Sequence, residues 1–314
     1  MEGRFNEKEF TEKLTTKEMG KEVEFYPDGC GSTMDEARKG LKAGAKQKLF
    51  LAEYQTNGRG SYARKWDNAF GKDILCTVAV RSPQVPREKG LEPLERWFNT
   101  IRFAVPIAVI EGLMEIGCPP CWMKWPNDII CEGKKICGIL VEVVPLENEC
   151  GSDDKTESEE MCWGLAAGFG INVNSSFAEE AKAQLSMPTS PIYKAVSVKD
   201  ILGHEVSREI LLAKICDKWE KWANEPFDVL FERYSQMNKL IGQIANVFPK
   251  NLEAGGEFPA HVLRISPKGT LIVRKVKLDH LDSATSKQKE IRYEEDSEEM
   301  ELVGEEVSIR SFSI

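Results

Sequence analysis

Lys124 to Val143 reads KWPNDIICEGKKICGILVEV, and the fold turns on how this stretch is read. Two apolar runs, Ile129-Ile130-Cys131 and Ile136 to Val144, flank the short charged turn Glu132-Gly133-Lys134. Apolar, β-branched runs on either side of a glycine turn predict a hairpin with both arms in a core. Polar residues nevertheless crowd its ends: Lys124, Asn127 and Asp128 lie ahead of it, and Lys135 directly follows the turn. A hairpin brings Lys124 and Lys135 close, and a lysine over a pocket mouth stabilises developing phosphate or carboxylate charge. A solvated hairpin tip explains the same lysines.

Working outward, strand and helix signals alternate. Upstream come a short strand, VEFY, and a helix from Ser32 to about Gly44. Next are a strand KLFLAEYQ, the glycine-rich NGRGSYARKW and a strand ILCTVAV. Trp97, Ile101, Val105, Ala108, Val109 and Leu113 repeat at helical spacing up to Gly117. Pro106 inside that helix predicts a kink or a restart. Downstream, CWGLAAGFGINV reads as a strand, and 207–237 as helices anchored by Trp219, Trp222 and Phe231. From about Lys239 short β runs separated by Gly, Pro and charge predict a small C-terminal β-barrel. The acidic stretch at about 147–160 and the polar run at about 281–301 read as solvated excursions. The first twenty or so residues read as a loosely attached lead-in helix.

The 314 residues carry 51 acidic and 42 basic side chains, a net charge of −9 and a pI near 5.2. That balance lacks the basic face of a nucleic-acid binder. The N-terminus has no apolar core of a signal peptide and is acidic where a transit peptide is basic. No apolar run of membrane-spanning length is apparent, so a cytoplasmic protein without a membrane partner is expected. Nine scattered cysteines suggest reduced thiols. Cys118-Pro-Pro-Cys121 is the only C-x-x-C, and no second pair follows at zinc-site spacing.

Four groups have the right chemistry for a ligand. In NGRGSYARKW (57–66), turn-forming residues expose backbone N–H groups while Arg59, Arg64 and Lys65 add charge, which suits an oxyanion. A basic surface loop accounts for it equally. It is neither a dinucleotide fingerprint, since Ala63 stands at the third glycine position, nor a P-loop. Ser32-x-x-Asp35 and Thr33-x-x-Glu36 each fit a capping box, although a helix N-terminus also cradles a carbonyl or an anion. The lysines of the opening hairpin are the third group. Gly164, Gly168 and Gly170 in the strand predict close approach of a ligand or another strand, with Asn172 able to bond a purine edge.

Taken in order, GSTMDEA, AEYQTNGRG…RKW, KWPNDI, KKICGILVE and AGFGINV resemble the biotin protein ligases, or holocarboxylase synthetases. The match runs from about Glu22 to Gln236, and the terminal GEEVSIRS resembles their small SH3-like domain. The resemblance implies an α+β fold: a class II synthetase-like mixed β-sheet flanked by helices, with an SH3-like β-barrel. It implies an extension over 1–21, a catalytic domain over 22–238 and the barrel over 239–314.

It also implies activation of biotin by ATP and Mg²⁺ to biotinyl-5′-AMP, the metal held mainly through the phosphates and by no direct protein ligand. Transfer to a lysine of a biotin carboxyl carrier domain follows. A lipoate or octanoate ligase shares the fold and is the alternative. The family pattern gives Lys135 and Arg59 catalytic roles. It sets Ser32, Thr33, Gln55, Gly58, Arg59, Gly60, Lys135 and Gly138 around biotin. Arg64, Trp66, Lys124, Asn127, Asp128 and Asn172 fall around the nucleotide. Many relatives read GRGRRGR where Ser61-Tyr62-Ala63 follows here, so weaker retention of the adenylate is expected. About twenty residues precede the matched region, too few for a DNA-binding head, so a repressor role is not expected. Monomer and homodimer are both compatible with the sequence.

Overall fold

A computed structural model describes residues 3–60, 65–146, 160–177, 194–249, 256–277, 297–304 and 307–311. The larger unit comprises Met1–Met123 with Asn127–Tyr234, and the second Lys124–Pro126 with Ser235–Ile314. The expected insertion at 147–159, and most of the run at 281–301, lie outside the described residues.

The larger unit carries α1 (Glu7–Lys13), β1 (Val23–Tyr26), α2 (Thr33–Lys42), β2 (Gln47–Ala52), β3 (Ile74–Arg81) and β4 (Val85–Pro86). It continues with α3 (Glu92–Glu115), β5 (Trp122–Lys124), β6 (Asp128–Cys131), β7 (Lys134–Pro145), β8 (Glu160–Met161) and β9 (Trp163–Ile171). Helices α4 (Val198–Leu202), α5 (Arg208–Ala223) and α6 (Phe227–Gln236) complete it. One seven-stranded sheet runs β1-β2-β3-β9-β7-β6-β5, and β4 pairs with β8. β1 and β2 are parallel, while β2–β3, β3–β9, β9–β7 and β7–β6 are antiparallel, so the sheet is mixed as expected.

The predicted hairpin forms: β6 and β7 pair through Cys131 and Lys134, with a register shift at Ile129/Ile130 and positive φ at Glu132 and Gly133. The core follows from strands apolar on both faces. β3 is buried from Ile74 to Val80. Met34, Ala37 and Leu41 of α2 press on Phe50, Ala79, Val144 and Ala166. Helix α3 runs through Pro106 without a restart. Burial of every residue from Phe103 to Ile110 outweighs the one backbone bond that proline removes. Among the described residues α3 is the helix long and apolar enough to span a membrane, but 67% of its most apolar window is buried. It packs on α5, where Gly112 lets Ile215 approach.

The N-terminal segment is firmly held, contrary to the loose attachment its polarity suggests. Asn6 caps α1 through Lys8 and Glu9, and Phe10 is buried. Its anchors lie some two hundred positions downstream. Glu220 of α5 accepts the N–H groups of Lys17 (2.7 Å), Glu18 (2.8 Å) and Met19 (3.0 Å). Burial pushes the Glu220 carboxyl up, but these backbone donors outweigh it and set its pKa below 4.5. A depressed folded-state pKa stabilises the docked segment above 4.5 and loses that contribution as pH falls through the lower folded value. Amide protection factors at residues 17–19 should therefore drop on acidification, and Glu220→Gln should lower them at pH 7 and remove the pH dependence. Unchanged protection in Glu220→Gln would contradict this docking.

The second unit holds β10 (Ile244–Pro249), β11 (Phe258–Ile265), β12 (Leu271–Lys275), β13 (Glu299–Leu302) and β14 (Val307–Ser311). Its sheet runs β13-β12-β11-β10-β14, antiparallel throughout, with the last strand returning beside the first. Trp125 is buried in this unit and donates from its indole to Gly269 O at 2.9 Å.

Candidate active site

Strand β2 leads into a bend at Tyr54 to Asn57 that pairs with the chain just before α2. Cys30 and Gln55 form a parallel bridge, and Asn57 N donates to Gly31 O at 2.8 Å. The pairing delivers Gln55 to the first turn of α2, where its Oε1 accepts Thr33 N at 2.7 Å and Thr33 Oγ1 at 3.2 Å. Thr33 Oγ1 also meets Thr77 Oγ1 of β3 at 2.8 Å. Neither capping box forms. Ser32 is the N-cap residue, yet its side chain caps nothing: the Asp35 N–H goes to Ser32 O at 3.0 Å, and Gln55 takes the Thr33 N–H. Ser32 is 1% exposed and its Oγ has no hydrogen-bond partner among the described residues. A buried hydroxyl without a partner is costly unless something else completes it.

These groups line a cleft open to solvent. Met34, Ile139, Leu140 and Phe169 add apolar lining. Arg59, Gly60, Asp128 and Lys135 line it as well, so one cavity combines buried polar groups, apolar side chains and charged ones. Lys135 Nζ pairs with Asp128 Oδ1 at 2.5 Å and lies 5.4 Å from the Trp66 ring centre. Its main chain is fixed from outside the hairpin: Lys135 N donates to Lys194 O (2.8 Å), and Val196 N to Lys135 O (3.0 Å).

The stems of the glycine-rich stretch close on each other through an Arg59–Lys65 bridge and Trp66 N to Gly58 O at 2.9 Å. Trp66 then lies against β7 and β9. A Cβ on Gly170 would sit 2.5 Å from its ring, and one on Gly138 2.8 Å, so glycine is required at both. The strand glycines thus admit side chains: Gly164 makes room for Leu41, Gly168 for Met34 and Gly170 for Trp66.

Ser32, Thr33, Gln55, Arg59, Gly60, Trp66, Asp128, Lys135 and Gly138 all line this cleft. Gly58 sits behind it, tied to Trp66. Asn127 is half-buried and receives Ile139 N on its carbonyl at 2.8 Å. Lys124 is buried and groups with the second unit. Asn172 is not in the lining; its amide donates to Val196 O (3.1 Å) and Lys135 O (3.5 Å), bracing the Lys135 strand. Arg64 and Ser61-Tyr62-Ala63 lie outside the described residues. Sequence reasoning missed Thr77, whose only signal was a lone hydroxyl in the apolar run ILCTVAV.

Cys118 and Cys121 are both buried and free. Burial pushes the Cys118 thiol up to about 12. The free thiols of Cys121 and Cys131 share a hydrogen bond, which raises Cys121 and lowers Cys131. Among the described residues no three His, Cys, Asp or Glu side chains come together to hold a metal ion.

Residues 31–151, which contain most of this cleft, match the model of the biotin/lipoate A/B protein ligase family. Over 282 residues the chain is 27% identical to the bifunctional ligase/repressor BirA of Bacillus subtilis, covering 86% of this chain and 75% of that protein. It is 34% identical over 132 residues to BirA of Escherichia coli, covering 42% of this chain and 34% of that one. In fold it is similar to the biotin protein ligase of Aquifex aeolicus solved with biotin and ATP. The TM-score is 0.58 at 18% identity, over 93% of this chain and 99% of that one. The chain is thus similar, in its matched region and in fold, to the biotin protein ligases.

Proposed function

We propose that the cleft binds biotin and ATP, and that the protein joins them before passing biotin to a lysine of a carboxylase's biotin carboxyl carrier domain. One observation carries this reading. A single cleft is lined by a buried hydroxyl lacking a partner among the described residues, by apolar side chains and by Lys135 and Arg59. Biotin carries the complementary groups: a ureido carbonyl, an apolar bicycle and chain, and a carboxylate. Ser32 Oγ donates to the carbonyl in this reading, with Thr33 and Gln55 beside it, and Gly138 leaves space along the slot.

The carboxylate oxygen attacks the α-phosphorus of ATP, the bond to the β,γ-pyrophosphate breaks, and biotinyl-5′-AMP remains. Lys135 and Arg59 stabilise the charge that builds on the phosphoryl oxygens. The carrier lysine's amine then attacks the acyl carbon and AMP leaves. Trp66 and the Asn127–Asp128 segment flank the nucleotide in this reading. A magnesium ion would be held mainly by the nucleotide phosphates, whose charge it would neutralise, with no direct protein ligand. The second unit serves as the SH3-like domain, and the protein works in the cytoplasm.

Pyrophosphate exchange with biotin against lipoate tests the reading, followed by transfer of labelled biotin to a carrier domain. Biotin-dependent exchange is expected. Exchange with lipoate or octanoate alone would replace it with the lipoate-ligase alternative.

A further inference from the structure

Asp35 stands on the first turn of α2, and the function just proposed gives it no task. Its Oδ1 accepts from Arg59 Nη2 at 2.8 Å. Arg38 Nη1 lies 4.0 Å from the same oxygen, and Arg38 Nη2 holds Glu142 Oε2 of β7 at 2.5 Å. Alternating charges thus run from the sheet through α2 to the glycine-rich segment. Arg59 has five N–H donors in a rigid fork, and this bond to Asp35 uses one of its terminal nitrogens. While so held, Arg59 still lines the cleft. The bond therefore restrains the guanidinium of a residue that lines the cleft. Both side chains are about a third exposed, 30% and 36%, so the pair adds little to folding stability. Its effect lies in orientation.

We infer that Asp35 is a positioning residue that aims Arg59 at the anionic end of the ligand in the cleft, an inference that rests on the proposed activation of a carboxylate there. The sequence pattern offered a local reason for Asp35, a capping box with Ser32, but that box is absent and Asp35 faces Arg59 instead.

The test is a double-mutant cycle read by biotin-dependent pyrophosphate exchange. Asp35→Asn should lower kcat/KM roughly 10- to 100-fold, the cost of misaiming a group beside the reacting atoms. Asp35→Glu should recover most of it. In an Arg59→Met background Asp35→Asn should add no further loss, because the two act as one unit. An equal loss with or without Arg59 would overturn the inference. A second arm needs no turnover: phenylglyoxal labelling of Arg59 in the ligand-free protein, quantified by peptide mass. Labelling should be several-fold faster in Asp35→Asn than in wild type, and equal rates would also overturn the inference. If wild-type protein shows no exchange, the proposed function fails, while the labelling arm still decides whether Asp35 restrains Arg59.

Discussion

Lys135→Ala should abolish measurable adenylate formation while leaving the protein folded. Removing one donor aimed at developing charge costs about 10²- to 10³-fold in kcat in well-studied sites, and Lys135 brings a full charge. The fold should survive because what fixes position 135 is main chain. Lys194 O and Val196 N bond its backbone, and the Asn172 amide reaches its carbonyl, all indifferent to an alanine side chain. The side chain contributes an ion pair with Asp128 in which the partners are 30% and 27% exposed, about 0 to 1 kcal/mol at such a site. Labelled-biotin transfer and pyrophosphate exchange measure the activity, and a thermal melt the fold. Full activity in a folded Lys135→Ala protein would remove the central assignment.

The largest stability effect should come from Arg208→Ala, far from the proposed chemistry. Arg208 and Glu53 form a buried pair, 6% and 0% exposed, with Nη1 to Oε2 at 2.7 Å and Nη2 to Oε1 at 3.2 Å. Arg208 also donates to Gly3 O (2.8 Å) and Asp73 O (3.2 Å), while Glu53 receives the Phe5 N–H. Truncating the arginine strands a carboxylate in the core, which costs about 3–5 kcal/mol, because the desolvation penalty remains after its compensation is gone. The double change Arg208→Met with Glu53→Leu should recover much of this, since it removes both charges together. Urea titrations of the three proteins measure it, and a loss under about 1 kcal/mol for Arg208→Ala would refute the argument.

The contrast between these two sites explains what the sequence could reveal. Lys135 sits in a local pattern, a turn between two apolar runs, and the lysine, the turn and the strand are adjacent in the chain. Arg59 beside a glycine-rich turn and Ser32 at a helix start are likewise short-range signals, and these residues do share one cleft. The sheet was readable for the same reason, as each strand announces itself within about eight residues. The Glu53–Arg208 pair joins positions 155 apart, and the Glu220 anchor reaches back about two hundred, so no local window contains either. Local rules also misled at the start of α2, where the Asp35 N–H goes to the Ser32 carbonyl and not to its hydroxyl, while Gln55 arrives from another segment to take the Thr33 N–H.

At Gly138 and Gly170 the cleft has no side chains of its own, and the indole of Trp66 covers that bare main chain. A wall supplied by another segment can be shifted without repacking the sheet behind it. The depth of the cleft here is thus set by where the Trp66 ring lies, and a single added methyl at either glycine would push against that ring from the opposite side.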